Sequence, residues 1–166
     1  MKKVIYTVLF VLIVINVFKI EVCVGQWVKV SNGLGDNRRI SSIIVNGGNL
    51  YAGTIYESNG VWMSTNNGGL WTQTSLNSQN VHSLLFGEGN MYAGTISNGV
   101  FISTNNGLNW MQTTLNNRTV RALLFKDGIV YAGATTYGLY ISTNNGNTWG
   151  QTGISSQNIY SLAASD

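Results

Sequence analysis

The sequence predicts an all-β protein, built as a propeller-type array of four-stranded antiparallel blades, and three observations support this. The motif S-T-N-N-G-x-x-W occurs at residues 64–71, 103–110 and 142–149, so that successive copies lie 39 residues apart. A fixed period of about 40 residues is typical of propellers and other repeat arrays. The chain has 20 glycines and no proline, and no segment shows a helical period of apolar residues.

The repeated motif is best explained as a tight turn between two strands. Gly99 to Thr104 is a β-branched and aromatic segment before it, and Trp110 to Thr114 follows it. Asn and Gly tolerate positive φ, and Ser and Asn side chains can bond nearby backbone N–H groups. A calcium loop is disfavoured because the motif contains no carboxylate. The predicted structural turn residues are Ser64, Asn66, Gly68, Trp71, Ser103, Asn105, Gly107, Trp110, Ser142, Asn144, Gly146 and Trp149.

The motif resembles the Asp-box (BNR) repeat, S-x-D-x-G-x-x-W, of sialidases, sortilin-type receptors and photosystem II assembly-factor-like propellers. The resemblance covers about residues 26–166. Asn66, Asn105 and Asn144 stand where that family has Asp, and an Asn oxygen can still accept the turn's N–H bonds. The resemblance implies a propeller in which the box is a structural turn without a catalytic role.

The N-terminal segment predicts export. Met1-Lys2-Lys3 is followed by an apolar run from Val4 to Phe18, which suits a signal peptide over residues 1–25 better than a spanning helix. An uncleaved N-terminal anchor is the alternative. Cleavage would remove three of the nine cations and one of the six anions, leaving a net charge of about +1, too little for a nucleic-acid footprint. We therefore expect a secreted or cell-envelope protein.

The remaining chain, residues 26–166, divides into three predicted blades at 40–75, 81–114 and 120–153. Segment 26–30 matches a fourth strand alone, and segment 159–164 matches a first strand alone. Propellers close with about four to eight blades. Two interpretations remain open: the chain is part of a longer propeller, or several chains assemble into a ring.

Differences between the copies suggest a binding face. In an antiparallel blade, the second-to-third turns and the links between blades share one face, and there the repeats differ most. One inner-strand position also varies between blades. Variable positions on a regular scaffold are where repeat proteins place binding surfaces, although ordinary solvated loops would vary as well. The candidate ligand face comprises Arg39, Tyr56, Glu57, His82, Arg118, Arg121, Tyr137 and Tyr160. Tyr51, Tyr92 and Tyr131 recur in the second strand of each blade, and we expect these tyrosines to pack between blades.

The sequence predicts no catalytic, cofactor or metal site. His82 is the sole histidine, so a zinc site built from several histidines and cysteines is excluded. Glycoside hydrolysis needs two carboxyl groups close together, and the predicted positions of the strands and turns bring no two carboxyl groups of this chain together. We expect a non-enzymatic binding or scaffolding module for a protein or glycan. The alternatives are a fragment of a sialidase-like hydrolase, with its catalytic residues in blades outside this chain, and a purely structural spacer.

Overall fold

The computed structural model describes residues 28–35, 38–57 and 59–165, and the predicted signal peptide lies outside these ranges. Within them, the backbone forms strands of two to eight residues. Their bounds are β1 Arg39–Asn46, β2 Asn49–Ile55, β3 Val61–Ser64, β4 Thr72–Gln73, β5 Val81–Gly87, β6 Asn90–Thr95, β7 Val100–Ser103, β8 Met111–Gln112, β9 Val120–Lys126, β10 Ile129–Ala134, β11 Gly138–Ser142 and β12 Gly150–Gln151.

The strands form three four-stranded sheets, each with its strands in sequence order. All neighbouring strands pair antiparallel, as in β1 with β2 and β2 with β3. The first strand of each blade contacts the first strand of the next, β1 with β5 and β5 with β9. This is the array of propeller blades that the repeat period predicts, and the three blades do not close into a ring. The fold class is confirmed.

The core lies between the blades. Because side chains alternate along a strand, each blade presents one apolar face to the preceding blade and one to the next. Tyr51 and Val61 of the first blade pack with Leu84 and Met91 of the second, and both Tyr51 and Met91 are fully buried. The equivalent interface between the second and third blades is centred on Tyr92. These tyrosines are core residues, because their rings fill the space between two sheets.

Glycines in the second strands let successive blades approach closely. A Cβ atom on Gly53 would lie 2.8 Å from Val81 of the next blade, and one on Gly94 would lie equally close to Val120. Real Cβ atoms do not approach other heavy atoms so closely, so no larger residue fits there without moving the neighbouring strand. The repeated Tyr-Ala-Gly sequence of the second strands thus combines a core ring with a point of close blade contact.

The two predicted partial strands, 26–30 and 159–164, pair with no other strand in the described ranges, and residues 26 and 27 lie outside those ranges. Residues 28–30 and 159–164 form no strand ladder, because no further strand lies beside them in the described ranges. Both segments nevertheless pack against the end blades. The Trp71 indole donates to the Val30 carbonyl over 2.9 Å, and the Ile159 N–H donates to the Ala134 carbonyl over 3.2 Å. Ile159 lies against Gly133 as Val81 lies against Gly53.

No helix among the described residues is long and apolar enough to cross a membrane.

Candidate functional site

The Asn-Asn-Gly turns have the same hydrogen bonds in all three blades. In the second blade the buried Ser103 hydroxyl accepts the Gly107 N–H over 2.9 Å and donates to the Asn105 side-chain oxygen over 3.0 Å. The same Asn105 oxygen accepts the Asn109 N–H over 2.8 Å. Ser64 with Asn66 and Ser142 with Asn144 repeat this arrangement. One amide oxygen at the third position therefore accepts the bonds that hold the turn, and no carboxylate is needed.

The motif tryptophans close the turns in two ways. The Trp110 indole donates to the Gly107 carbonyl over 3.0 Å, and the Trp149 indole donates to the Gly146 carbonyl over 3.1 Å. In the first blade, the Trp71 indole reaches the Val30 carbonyl instead. All twelve predicted motif residues thus lie in or beside the turns, where their contacts are with the turn itself or with the adjacent backbone.

The opposite face, which we call the link face, carries the second-to-third turns and the links between blades. Backbone bonds join the two sets of loops. The Gly60 N–H donates to the Gln79 carbonyl and the Gly99 N–H donates to the Arg118 carbonyl, each over 2.8 Å. The Thr136 N–H donates to the Asn158 side chain over 2.7 Å. Each turn therefore lies directly against the link that leads into the next blade.

The variable inner-strand position is a β-bulge in every blade. The pairing register shifts between Ile40 and Ser42, between Val81 and Ser83, and between Val120 and Ala122. Ser41, His82 and Arg121 are therefore the extra residues. Bulges interrupt the ladder and redirect a side chain, and they are common near functional sites. Sequence comparison found this position as variable, but the unpaired backbone is visible only in the structure.

Four arginines stack on aromatic rings at the link face. The guanidinium carbons of Arg39, Arg118 and Arg121 lie 4.7, 3.9 and 5.5 Å from the ring centroids of Tyr56, Tyr137 and Tyr160, respectively. Arg38 lies 4.5 Å from the Trp62 ring. These tyrosines are largely exposed. Stacking of this kind holds a guanidinium in place while leaving its edge able to bond a ligand.

Hydrogen bonds position two of these arginines further. The Arg118 Nε donates to the Tyr140 hydroxyl over 3.2 Å, and its Nη1 donates to the Asn117 side-chain oxygen over 2.8 Å. The Arg121 Nε donates to the Thr135 hydroxyl over 3.0 Å. Both guanidinium groups are thus oriented before any ligand arrives, which reduces the entropy lost on binding.

A cleft of about 210 Å³ lies at the first-blade end of the link face, lined by Arg38, Arg39, Ile55, Tyr56, Glu57 and Asn59. The cleft brings together Arg39, Tyr56 and Glu57 of the predicted ligand face. Tyr56 and Glu57 both have positive φ, 65° and 61°, so this turn holds two non-glycine residues in a costly conformation. Arg118, Arg121, Tyr137 and Tyr160 lie together at the third blade instead. The predicted residues therefore form two groups on one face.

Arg38 and Asn59 also line the cleft but were not among the candidate ligand residues. Arg38 contacts Trp62, and Arg118 contacts Tyr140 at the corresponding place in the third blade. An alignment of the repeats could have revealed this, because Arg38 and Arg118 occupy equivalent positions in the links. Asn59 gave no signal, since its part in the cleft depends on the conformation of the turn.

His82 lies between the two groups, and its Nε2 is buried without a hydrogen-bond partner among the described residues. Burial lowers the pKa of His82 below its usual 6.5, and the positive charge of Arg121 lowers it further. Both causes disfavour the imidazolium ion in the folded state. His82 is therefore neutral near pH 7.

We expect the protein to lose stability as the pH falls from about 7 to about 5. Because the pKa is lower in the folded state, the unfolded chain takes up the proton first and is favoured by acid. Urea unfolding across this range should show the decline, and His82→Gln should flatten it. Arg121→Ala should flatten it in part, whereas Arg118→Ala serves as the matched control. An unchanged pH profile in His82→Gln would contradict this assignment.

Among the described residues, no group of three or more His, Cys, Asp or Glu side chains could hold a metal ion.

Residues 14–124 match the DUF6242 beta propeller domain family. The chain belongs to this family. The match covers the first two blades and the start of the third. No curated protein is similar to the chain at a significant level.

Solved structures share the fold of this DUF6242 propeller. The computationally designed Ika4 protein aligns with a TM-score of 0.68 at 13% identity, over 85% of this chain and 89% of its own. An ancestral GH74 enzyme aligns with a TM-score of 0.61 at 21% identity, over 74% of this chain and 20% of its own. The extracellular domain of BT4673 from B. thetaiotaomicron aligns with a TM-score of 0.58 at 19% identity, over 72% of this chain and 17% of its own.

These identities establish similarity of fold alone. The DUF6242 propeller spans a fifth or less of the GH74 and BT4673 chains.

Proposed function

We propose that this chain is an exported, non-enzymatic binding module whose link face receives a protein or glycan bearing acidic groups. The observation that carries the proposal is the presence of four arginines on that face, in two groups, each stacked on an aromatic ring. Glu57 is the carboxylate of the described chain that accompanies them. Guanidinium groups bind carboxylates through paired hydrogen bonds, so an acidic ligand is the chemistry that this face suits.

The distribution of charge supports one binding face rather than two. Glu88 and Asp127 lie in the first-to-second turns, on the same side as the Asn-Asn-Gly turns and away from the link face. Lys126 lies beside Asp127. An acidic ligand would therefore meet opposite charge at the link face and mixed charge at the other face. Electrostatic complementarity of this kind increases the association rate and selects the partner.

The proposal includes the Asp-box relationship. The serine hydroxyl and the third-position oxygen make the bonds of a tight turn in all three blades, and an Asp carboxylate could accept the same bonds. On this interpretation the Asn-Asn-Gly turns are Asp-box turns with an amide in place of the acid. They support the scaffold, and the link face binds.

A glycoside hydrolase fragment is the alternative. The GH74 neighbour supports it only by fold. Glu57 lies at the link face, whereas Glu88 and Asp127 lie in turns of the opposite face, so among the described residues no second carboxyl group accompanies Glu57 beside the arginines, where glycoside hydrolysis would need a close pair. The binding module is therefore the better interpretation of these residues.

The test measures binding of a hexaglutamate peptide and of polygalacturonate, with dextran as the neutral probe. We expect one acidic probe to bind, to weaken with added salt, and to lose about tenfold in affinity in Arg118→Ala and in Arg121→Ala. Lys126→Ala removes the same charge from the other face and should bind as the parent does. Binding by neither acidic probe, or equal binding by all variants, would overturn the proposal.

A further inference from the structure

The chain contains seven Asn-Gly sequences, an unusual density of sites for spontaneous deamidation. In this reaction the backbone nitrogen of the glycine attacks the side-chain carbonyl carbon of the asparagine. Glycine is the most permissive following residue because it has no side chain to hinder the approach. The seven asparagines are Asn32, Asn46, Asn59, Asn67, Asn98, Asn106 and Asn145. All seven following glycines have positive φ, so conformation at glycine does not distinguish them.

Hydrogen bonding does distinguish them, because five of the seven attacking nitrogens are already engaged. In the three Asn-Asn-Gly turns, the N–H groups of Gly68, Gly107 and Gly146 each donate to the motif serine hydroxyl over 2.9 Å. The N–H groups of Gly60 and Gly99 donate to backbone carbonyls over 2.8 Å. All five glycines are buried. A nitrogen held in a buried bond must first break that bond before it can attack.

The other two glycines, Gly33 and Gly47, are exposed. At Gly33 the turn is closed by the Leu34 N–H bond to Ser31, and the Asn32 carbonyl accepts the Trp71 N–H over 2.9 Å. A Cβ at Gly33 would lie 2.3 Å from the Trp71 carbonyl oxygen. This peptide is therefore packed against the first blade and restrained from the rotation that the reaction needs.

Gly47 has no such restraint. It is the first residue of the two-residue turn between β1 and β2, in which Asn46 pairs with Asn49. In such a turn the ladder bonds belong to the flanking pair, so the N–H of the first turn residue is directed away from the ladder. Nothing lies within 4 Å of the Cβ position of Gly47 or of Gly48. The Asn46 side chain makes one exposed contact, from Nδ2 to the Asn106 side-chain oxygen over 3.2 Å.

We propose that Asn46 is a site of spontaneous modification in the native protein, and that the serine hydroxyls of the repeat motif protect Asn67, Asn106 and Asn145 from the same reaction. The Gly47 nitrogen loses its proton and bonds to the Asn46 side-chain carbonyl carbon, and the bond from that carbon to Nδ2 breaks, releasing ammonia. Water then opens the cyclic imide at either carbonyl. The product at position 46 is aspartate or isoaspartate.

The modification would act on the contact between the first two blades. Asn46 loses the amide that donates to Asn106, and a carboxylate then faces the Asn106 side-chain oxygen. An isoaspartate also lengthens the backbone by one methylene at the end of a ladder whose register depends on a two-residue turn. The serine of each repeat motif thereby acquires a second role, since it protects the adjacent Asn-Gly bond as well as holding the turn.

The test follows deamidation by peptide mapping and mass spectrometry after incubation at mildly alkaline pH. In the native chain, we expect Asn46 to convert at least about tenfold faster than Asn67, Asn106 and Asn145. In urea, the four sites should convert at similar rates, because unfolding breaks the hydrogen bonds from the glycine N–H groups to the motif serines. The three motif sites provide internal controls in the same sample. Equal native rates at Asn46 and Asn106 would overturn the proposal.

Ser103→Ala tests the protection directly. It removes the hydroxyl that holds the Gly107 N–H, so Asn106 should accelerate about tenfold while Asn67 and Asn145 stay slow. If the variant unfolds, all three sites will accelerate together, and amide exchange in the parent chain then decides. Slow exchange at Gly107 with fast exchange at Gly47 supports the proposal, and fast exchange at Gly107 overturns it.

Discussion

Gly99→Ala is expected to lower the free energy of unfolding by about 4 kcal/mol or more, enough to unfold a protein of ordinary stability. A Cβ atom at this position would lie 1.8 Å from the Leu115 carbonyl oxygen, and φ is +68°. That carbonyl accepts the Val100 N–H over 2.8 Å. The oxygen cannot move away without breaking the bond that begins β7. Urea unfolding followed by tryptophan fluorescence measures the loss.

The matched control is Gly89→Ala. Gly89 also has positive φ, +78°, but nothing lies within 4 Å of its Cβ position. This change should cost about 1–2 kcal/mol, from backbone strain alone. Gly60 and Gly138 repeat the close contact of Gly99, at 1.7 and 1.9 Å from the corresponding carbonyl oxygens, and should behave like it. Equal losses at Gly89 and Gly99 would show that strain, and not the close approach, dominates.

Tyr92→Ala is expected to cost about 3–5 kcal/mol. The Tyr92 ring is fully buried between the second and third blades, in a cluster with Val100, Val130 and Ala132. Its removal leaves a cavity between two sheets whose strands are held in place by their ladder hydrogen bonds. The same unfolding assay measures the effect. A steeper dependence of the free energy of unfolding on urea concentration would indicate a change in the surface exposed on unfolding.

Tyr160→Ala is the control for a tyrosine of the link face. Tyr160 is 63% exposed and lies against Arg121, so its removal should change stability by less than about 0.5 kcal/mol. A stable Tyr92→Ala variant would contradict the core assignment and would reopen the interpretation of these second-strand tyrosines as a ligand platform. The two variants therefore separate scaffold tyrosines from candidate ligand tyrosines.

Much of the fold was predictable because its causes are local and repeated. The spacing from Ser103 to Trp110 contains a whole turn, whose bonds join residues within a few positions of one another. The alternation of side chains in the flanking segments then defines the strands. Three copies at one period leave little choice of architecture. The recurrence of Tyr51, Tyr92 and Tyr131 predicted packing between blades, which is confirmed for Tyr51 and Tyr92, whereas Tyr131 of the third blade is only half-buried.

The candidate site was predictable only in part. Variation between repeats selected Arg118, Arg121 and Tyr137, and the choice of face followed from strand direction. That choice did not reveal which rings the arginines would meet. The contact of Arg38 with Trp62 was not predicted because Trp62 lies more than twenty residues away, in β3. The partial strands were predicted from similarity to complete repeats, but a strand forms only where another strand lies beside it.

The sequence by itself determined the repeat, the turn chemistry and the antiparallel blade, because each depends on residues that are close in the chain. Only the tertiary structure decided that Ser41, His82 and Arg121 are bulged residues and that four arginines rest on aromatic rings. It also decided which Asn-Gly bonds are protected, since the seven identical dipeptides differ in the hydrogen bonds and the packing of their glycines. Contacts between segments that are far apart in the sequence determine these properties, and local sequence patterns do not reveal which distant segments meet.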